Sequence, residues 1–514
     1  MSGFCVLAKY GEIAVKGRNQ GWFENCLVRN LRHAVGGPVL IRRRGGFLVA
    51  SAHHRDPAEL TRRLQEVMGL SVVQPALSVP PTVEDATAAA VDLLRRRHAE
   101  RPGAPVPTFA VRARRRWKDF PMSSDAFAAH IGARVCAELG WRVDLAAPEV
   151  PVLVEVDRRE IFVSVERLPG QGGLPVGCSG RALVLLSGGY DSPVAAYRAM
   201  RRGLHCDFVH FTGAPYTDPS SMYKAYALAR ELGRYQTPAR LYVVPVGNAQ
   251  KTLATAGAEE LQIVARRRLY LRIAEELARR RQRDALVTGD SLGQVASQTL
   301  SNLVSADQAC TLPVLRPLIG WDKQEIITEA RRIGTAEISV LRDEDCCSLL
   351  APSEVATRTN PADLRVIEQR ADIDTLVEQA LEHVTVLTPG RGRRPPPPRA
   401  KGAPPPRVAA GGERPAPPAP RPPPPRPPPA HPPRRGGRRP PPPPPPDSRL
   451  RRKPRVGCRT QWAAVADGGG GRRTSRRGGA LTSPGDNGGP GALRARRLGC
   501  ADAAGGEHGD VLER

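Results

Sequence analysis

Ser187-Gly188-Gly189-Tyr190-Asp191-Ser192 follows a continuous apolar run at 182–186 and precedes a helical stretch beginning near Pro193. A strand that is apolar at every position expects burial on both faces, as in a parallel sheet covered by helices. Gly188 and Gly189 carry no Cβ, so backbone N–H groups can approach an anion closely. Ser187 and Ser192 add hydroxyl donors, and the next helix turns its positive end toward the same point. Pro193 suits a first helical turn, where no N–H is required. These features predict a phosphate cradle. No lysine closes the motif as in GxxxxGK[ST], which argues against a kinase or GTPase of that type. Asp191 cannot bind phosphate directly; its expected role is to hold Mg²⁺ against pyrophosphate or to fix the loop.

Outward from the loop, strands alternate with helices: 182–186 then 193–202, 206–211 then Ser220–Leu232, 239–245 then 259–279, and 285–289 then 295–303. The pattern predicts a doubly wound parallel sheet over 181–385. Helices near 323–333 and 361–381 complete it. Upstream, 171–180 is Gly-rich and reads as a linker. Residues 1–75 and 76–170 read as two smaller α+β units. In the second, Thr82 caps a helix over 82–99, and strands at 152–156 and 161–165 flank a turn.

Charge is unevenly spread. Of the net charge of +26, residues 386–514 carry +19, together with 31 of the 53 prolines. The runs 395–398, 422–425 and 440–446 are entirely proline. Such composition cannot build a core and predicts a disordered tail. No stretch approaches the roughly 20 apolar residues of a membrane span. Ten scattered cysteines without a CxxC or metal-ligand spacing predict reduced thiols, a cytoplasmic protein and no tightly bound metal.

The glycine loop resembles that of the PP-loop ATPases, and further residues narrow the likeness. Lys9-Tyr10-Gly11-Glu12-Ile13 with Lys16-Gly17-Arg18-Asn19 resembles the ferredoxin-like domain of the tRNA uridine 4-sulfurtransferases, the ThiI family. Val143-Asp144-Leu145, Pro148-Glu149 and Val154-Glu155-Val156 are similar to its THUMP domain. The stretch 288–299 is similar to its second nucleotide motif, and Asp345-Cys346-Cys347 to its catalytic-cysteine region. The resemblance covers about residues 3–385. It implies that ATP adenylates O4 of a tRNA uridine (position eight) and that a persulfide sulfur displaces AMP, giving 4-thiouridine. Sulfur supply to the thiazole of thiamine is a second implied use, through a sulfur carrier protein.

By position, the resemblance makes Cys346 the sulfur carrier, with Cys347 as a candidate second thiol, and Asp191 part of the catalytic set. ATP contacts carry over to Leu185, Leu186, Ser187, Gly188, Gly189, Asp191, Ser192, His210, Phe211, Arg267, Gly289 and Gln298. Leu185 and Leu186 would line adenine with backbone groups, and Gly289 would permit close approach of the nucleotide. Asp343, Glu344 and Asp345 would raise a nearby thiol pKa, so a basic group or helix end is expected beside them. Arg112, Arg114, Arg115, Arg116, Trp117 and Lys118 combine cations with an aromatic, as RNA contacts do. Lys9, Lys16 and Arg18, near Arg42, Arg43 and Arg44, form a second basic patch. Some family members carry a rhodanese domain; the sequence around Cys458 and Cys500 lacks its α/β pattern. A cysteine desulfurase delivering sulfur directly to Cys346 is therefore the expected donor, and a homodimer is left open. Two other readings stand beside this one: another PP-loop reaction, such as amidation or lysidine formation, which needs no Cys346, and a non-catalytic tRNA-binding protein, which would need a degenerate loop.

Overall fold

The computed structural model describes residues 3–344, 352 and 354–390. Cys346, Cys347, Cys458, Cys500 and the tail from 391 onward lie outside the described residues, while the first residues of the expected tail, from 386, belong to the strand Thr385–Leu387.

The first half is built on one mixed sheet. Its chain order is β1 (Gly3–Lys9), α1 (Gln20–Val35), β2 (Leu40–Arg44), β3 (Phe47–Ser51), α2 (Pro57–Gln65), β4 (Val72–Val79), α3 (Val83–Ala99), β5 (Phe109–Arg115), α4 (Ser124–Leu139), β6 (Val150–Val156), β7 (Ile161–Ser164) and β8 (Leu168–Pro169). The strands run β2-β3-β1-β4-β7-β6-β5, with β8 on β4. The expected boundary at 75/76 falls inside β4, which the sequence reading omitted. Pro75 explains the omission, because proline is normally excluded from a central strand. On its far side β4 pairs with β8 at Val72 and Val73 and with β7 from Leu77 to Val79. Pro75 sits in the gap, where no N–H is needed. Helix α3 is capped by Thr82, which accepts from Asp85 N–H, and α4 by Ser123, which accepts from Ala126 N–H. The segment 171–180 is tied down at both ends: Gly172 N–H donates to Leu70 O at 2.7 Å and Ser179 N–H to Gly203 O at 3.0 Å.

The second half contains β9 (Arg181–Leu185), α5 (Asp191–Arg201), β10 (His205–Thr212), α6 (Ser220–Leu232), β11 (Leu241–Pro245), α7 (Gly247–Thr255), α8 (Gln262–Arg280), β12 (Ala285–Val287), α9 (Leu300–Asp307), β13 (Val314–Leu315), α10 (Lys323–Arg332), α11 (Ala336–Ser339), α12 (Pro361–Arg370), α13 (Ile373–Glu382) and β14 (Thr385–Leu387). The order is β13-β12-β9-β10-β11-β14, parallel except for the antiparallel edge strand β14. Alternate residues go to opposite faces, as the two-residue period requires. Ala182, Val184, Cys206, Phe208, Leu241 and Val243 pack in one core, while Leu183, Val209, Phe211, Tyr242 and Val244 pack in the other. Burying each such side chain contributes roughly 1.5–3 kcal/mol. The expected helix over 361–381 is two helices, broken where Asp372 takes a left-handed φ of 49°. The helix expected from 295 starts only at Leu300, after a 3₁₀ turn at Ala296–Gln298.

From β9 the chain winds to β10 and β11 on one side and later to β12 and β13 on the other. Open α/β sheets bind ligands at such a reversal, beyond the carboxyl ends of the strands. The loop 187–192 and the turn after β12 meet there.

Candidate adenylation site

The loop is closed by its two serines. Ser187 N–H donates to Ser192 Oγ at 2.8 Å, and the two hydroxyls are 3.0 Å apart. Gly189 N–H leans on Ser187 Oγ at 3.4 Å. The N–H groups of Gly188, Tyr190 and Asp191 find no acceptor among the described residues. With the first turn of α5 they form a set of donors unpaired among the described residues, a combination suited to the phosphates of ATP. A Cβ on Gly189 would meet only Ser187 Oγ, at 3.7 Å, so the loop is open there.

Asp191 opens α5 and does not stand free. Lys323 Nζ holds its carboxylate at 2.8 and 3.1 Å, and Gln294 Nε2 reaches it at 3.3 Å. Among the described residues no three His, Cys, Asp or Glu side chains converge where a metal ion could sit. Asp191 thus answers a lysine rather than a carboxylate cluster among the described residues.

The turn after β12 supplies the other wall. A Cβ on Gly289 would lie 2.6 Å from Ser192 N and 2.8 Å from Asp191 C. Its bareness lets the second motif pack on the glycine loop. Asp290 is the hub. Arg267 reaches it at 2.7 Å, Arg316 at 3.0 Å and Thr288 Oγ1 at 2.8 Å. Gln298 Nε2 lies 3.5 Å away, and its Oε1 is buried without a partner. Burial pushes the Asp290 carboxyl up, but Arg267, with Thr288 and Arg316, more than reverses this and leaves it below the usual carboxylate range. Of the three arginines 266–268, Arg267 faces this hub. Arg268 is fully buried on Glu368 at 2.7 and 2.9 Å.

Three adenine-side residues are engaged within the protein. Leu186 N–H already donates to Val209 O at 2.8 Å, so it is not free for a base. Leu186 O meets His210 Nδ1 at 2.8 Å, which locks that buried imidazole against the strand. Phe211 stacks on Tyr270 at 4.3 Å and belongs to the core beneath the sheet. Leu185, half-buried at the end of β9, keeps its place beside the loop.

The segment before the cysteines lies across the glycine loop. Ser339 Oγ donates to Gly189 O at 3.3 Å. Lys224, on α6, donates to Leu341 O at 2.6 Å and to Asp343 at 2.9 Å. Glu344 N–H donates to Ser220 Oγ at 3.0 Å. A Cβ on Gly188 would stand 2.7 Å from Asp343 Oδ2 and 3.1 Å from Lys224 Cδ. Lys224 is the basic group expected beside the acidic stretch. It was missed as a site residue, as were Lys323 and Arg316, because each is isolated in sequence and meets its partner only through the fold; Gln294 was passed over although it lies within the motif 288–299.

The basic patches divide. Lys9 and Arg116 both pair with Glu155, and Arg116 also lies 4.5 Å over the Phe47 ring. Arg42 and Arg44 pair with Glu160. Arg115 donates to two backbone carbonyls, of Lys118 and Phe120. Trp117 packs edge-on against Phe120 and donates to Asp119. These half-exposed side chains therefore have partners within the protein. Arg112, Arg114, Lys118 and Arg18 remain exposed, and half-buried Lys16 lies 5.3 Å over Phe23.

Three family models match the chain: the ThiI ferredoxin-like domain over residues 5–73, the THUMP domain over 81–166, and "Thiamine biosynthesis protein (ThiI)" over 177–373. A "Probable tRNA sulfurtransferase" of Moorella thermoacetica is 39% identical over 74% of this chain and 97% of its own length. One of Thermus thermophilus is 40% identical, over 76% and 96%. A crystal structure of "a 4-thiouridine synthetase - RNA complex with bound ATP" superposes with a TM-score of 0.69 at 31% identity, over 75% of this chain and 99% of that one. With these relatives matched over nearly their whole length, this chain belongs to the ThiI family of tRNA sulfurtransferases.

Proposed function

We propose that the chain is an ATP-dependent tRNA uridine sulfurtransferase whose loop 187–192 activates the base and whose Cys346 delivers the sulfur. Uridine O4 attacks the α-phosphate of ATP, and pyrophosphate leaves. The terminal sulfur of a Cys346 persulfide attacks C4, and AMP leaves with the O4 oxygen. A thiol then attacks Cys346 Sγ, breaking the sulfur–sulfur bond, reducing the transferred sulfur and taking Cys346 into a disulfide. Cys347 is the neighbouring candidate for that thiol. O4 is a poor leaving group until adenylated, which is why ATP is needed.

The observation that carries this reading is the strap over the glycine loop. Residues 339–344 are fastened to Gly189, to Lys224 and to Ser220. Two further residues span at most about 7 Å, so covalent geometry ties Cys346 to the neighbourhood of the loop. Burial supports the choice of thiol. It pushes Cys5 up to about 12 and Cys310 up to about 11, and raises Cys178 and Cys206 as well. Such thiols are poor sulfur carriers, because the thiolate is the reactive form.

We assign sulfur delivery to a cysteine desulfurase acting on Cys346, and the cytoplasm as the place of action. Mg²⁺ enters with ATP as part of the substrate, since Asp191 is engaged by Lys323. A thiazole-pathway sulfur carrier protein is a second acceptor for the same persulfide, and self-association as a homodimer is readable by light scattering. Among the described residues no helix is long and apolar enough to cross a membrane.

The test is thiolation of unmodified tRNA with ATP, cysteine and a desulfurase. Cys346→Ser is expected to retain tRNA-dependent pyrophosphate release and to form no thiolated nucleoside. Normal thiolation by this variant would remove Cys346 from the role.

A further inference from the structure

A cleft of about 730 Å³ opens where the two halves of the chain meet, between the end of α5 and the segment after β13. Its cations are Arg198, Arg201, Arg202 and Arg316, and its carboxylate is Glu12. Glu12 is already neutralised: Arg202 holds it at 2.8 and 3.1 Å, and this guanidinium keeps its carboxyl below the usual range. Arg198 pairs with Glu329 at 2.9 Å and lies 4.2 Å over the half-buried Trp321 ring. Arg201 differs from these. It is half-exposed, and its guanidinium has no ion-pair or hydrogen-bond partner among the described residues.

The cleft shares a wall with the adenylation site. Arg316 reaches from it to Asp290 at 3.0 Å. Lys323, two residues beyond Trp321, holds Asp191 of the loop. A polyanion lying in the cleft would therefore run up to the point where ATP is split. An enzyme acting on a base must draw that base out of its stack, and this requires holding the adjoining backbone. Phosphate contacts of this kind fix register without reading sequence.

We propose that this cleft receives the sugar–phosphate backbone of tRNA beside the target uridine, with Arg201 as a phosphate contact. The inference rests on the tRNA sulfurtransferase reading and adds a subsite to it.

The test uses the full chain and an unmodified tRNA transcript, with anisotropy titrations over a range of salt. Arg201→Ala is expected to raise Kd by about three- to tenfold and to reduce the slope of log K against log salt by about one. Arg201→Glu weakens binding further, and Arg201→Lys recovers most of it. Binding of a fluorescent ATP analogue and the melting temperature stay at wild-type values. An unchanged Kd and salt slope in both the Ala and Glu variants, with folding intact, overturns the proposal. The underlying reading fails differently: the wild-type protein would bind tRNA yet yield no thiolated nucleoside, whatever Arg201 does.

Discussion

The arginine run 266–268 in the second half and the run 114–116 in the first look alike in sequence and meet different partners. On α8, the helical repeat turns neighbouring side chains about 100° apart, so each arginine has its own surroundings. Arg268 disappears into the core on Glu368, and Arg267 reaches Asp290 beside the loop. At the end of β5, alternation sends Arg114 to solvent and Arg115 to the other face, where backbone carbonyls take it. Arg116, just past the strand, turns to Glu155. A basic run therefore says little about function until the carboxylates are located in space. Glu155 is 39 residues from Arg116, and Glu368 is 100 residues from Arg268.

The sharpest way to break the comparison is to delete the arginine held to be structural. Arg268→Ala leaves Glu368 buried with one cation fewer. Breaking a buried pair costs about 3–5 kcal/mol, and the retained contact from Arg272 keeps the loss near the lower figure. Urea unfolding should show that loss, whereas Arg267→Ala should hold its stability better and lose adenylation instead. Equal stability losses in the two variants would erase the distinction between them.

A smaller effect is expected from Gly289→Ala. The new methyl would lie 2.6 Å from Ser192 N, against backbone that cannot swing aside. Either the loop or the turn after β12 must shift by some tenths of an ångström. Displacing catalytic groups by up to 1 Å costs about 10²-fold in rate, equivalent to roughly 2.7 kcal/mol. Pyrophosphate release in the presence of tRNA reads it directly. A wild-type rate would mean that the contact between the two nucleotide motifs does not set the geometry.

Such pairs explain what was legible in sequence. The glycine loop could be read because its chemistry is local: two glycines, two serines and an aspartate between a strand and a helix. The apolar run of β9 could be read because burial on both faces leaves its interior, Ala182 to Leu185, without a polar residue. The strand β4 was hidden by Pro75, whose missing N–H is harmless only because β7 and β8 stop on either side of it. Lys224, Lys323 and Arg316 were hidden for a different reason. Each is an ordinary surface-type residue until the fold brings Asp343, Asp191 or Asp290 to it. On the adenine side the sequence placed Leu185 and Leu186 by position, but could not show that Leu186 N–H is taken up by Val209 O.

The smallest effect tests the basic face of the first half. Arg112 and Arg114 lie exposed on the edge strand β5, while Lys9 and Arg116 share Glu155. If only unpaired cations meet RNA phosphates, Arg112→Ala with Arg114→Ala should lower the salt slope of tRNA binding by about two. The accompanying loss of affinity is expected to be modest and independent of RNA sequence. Arg116→Ala should leave that slope unchanged, because its charge is already matched within the protein. It should instead loosen the sheet, since Arg116 also covers the Phe47 ring and hydrogen-bonds Gly45 O at 2.6 Å. A salt slope lowered equally by both sets would mean that Glu155 releases its cations when RNA arrives, and that the ion pairs of this face belong to the free protein alone.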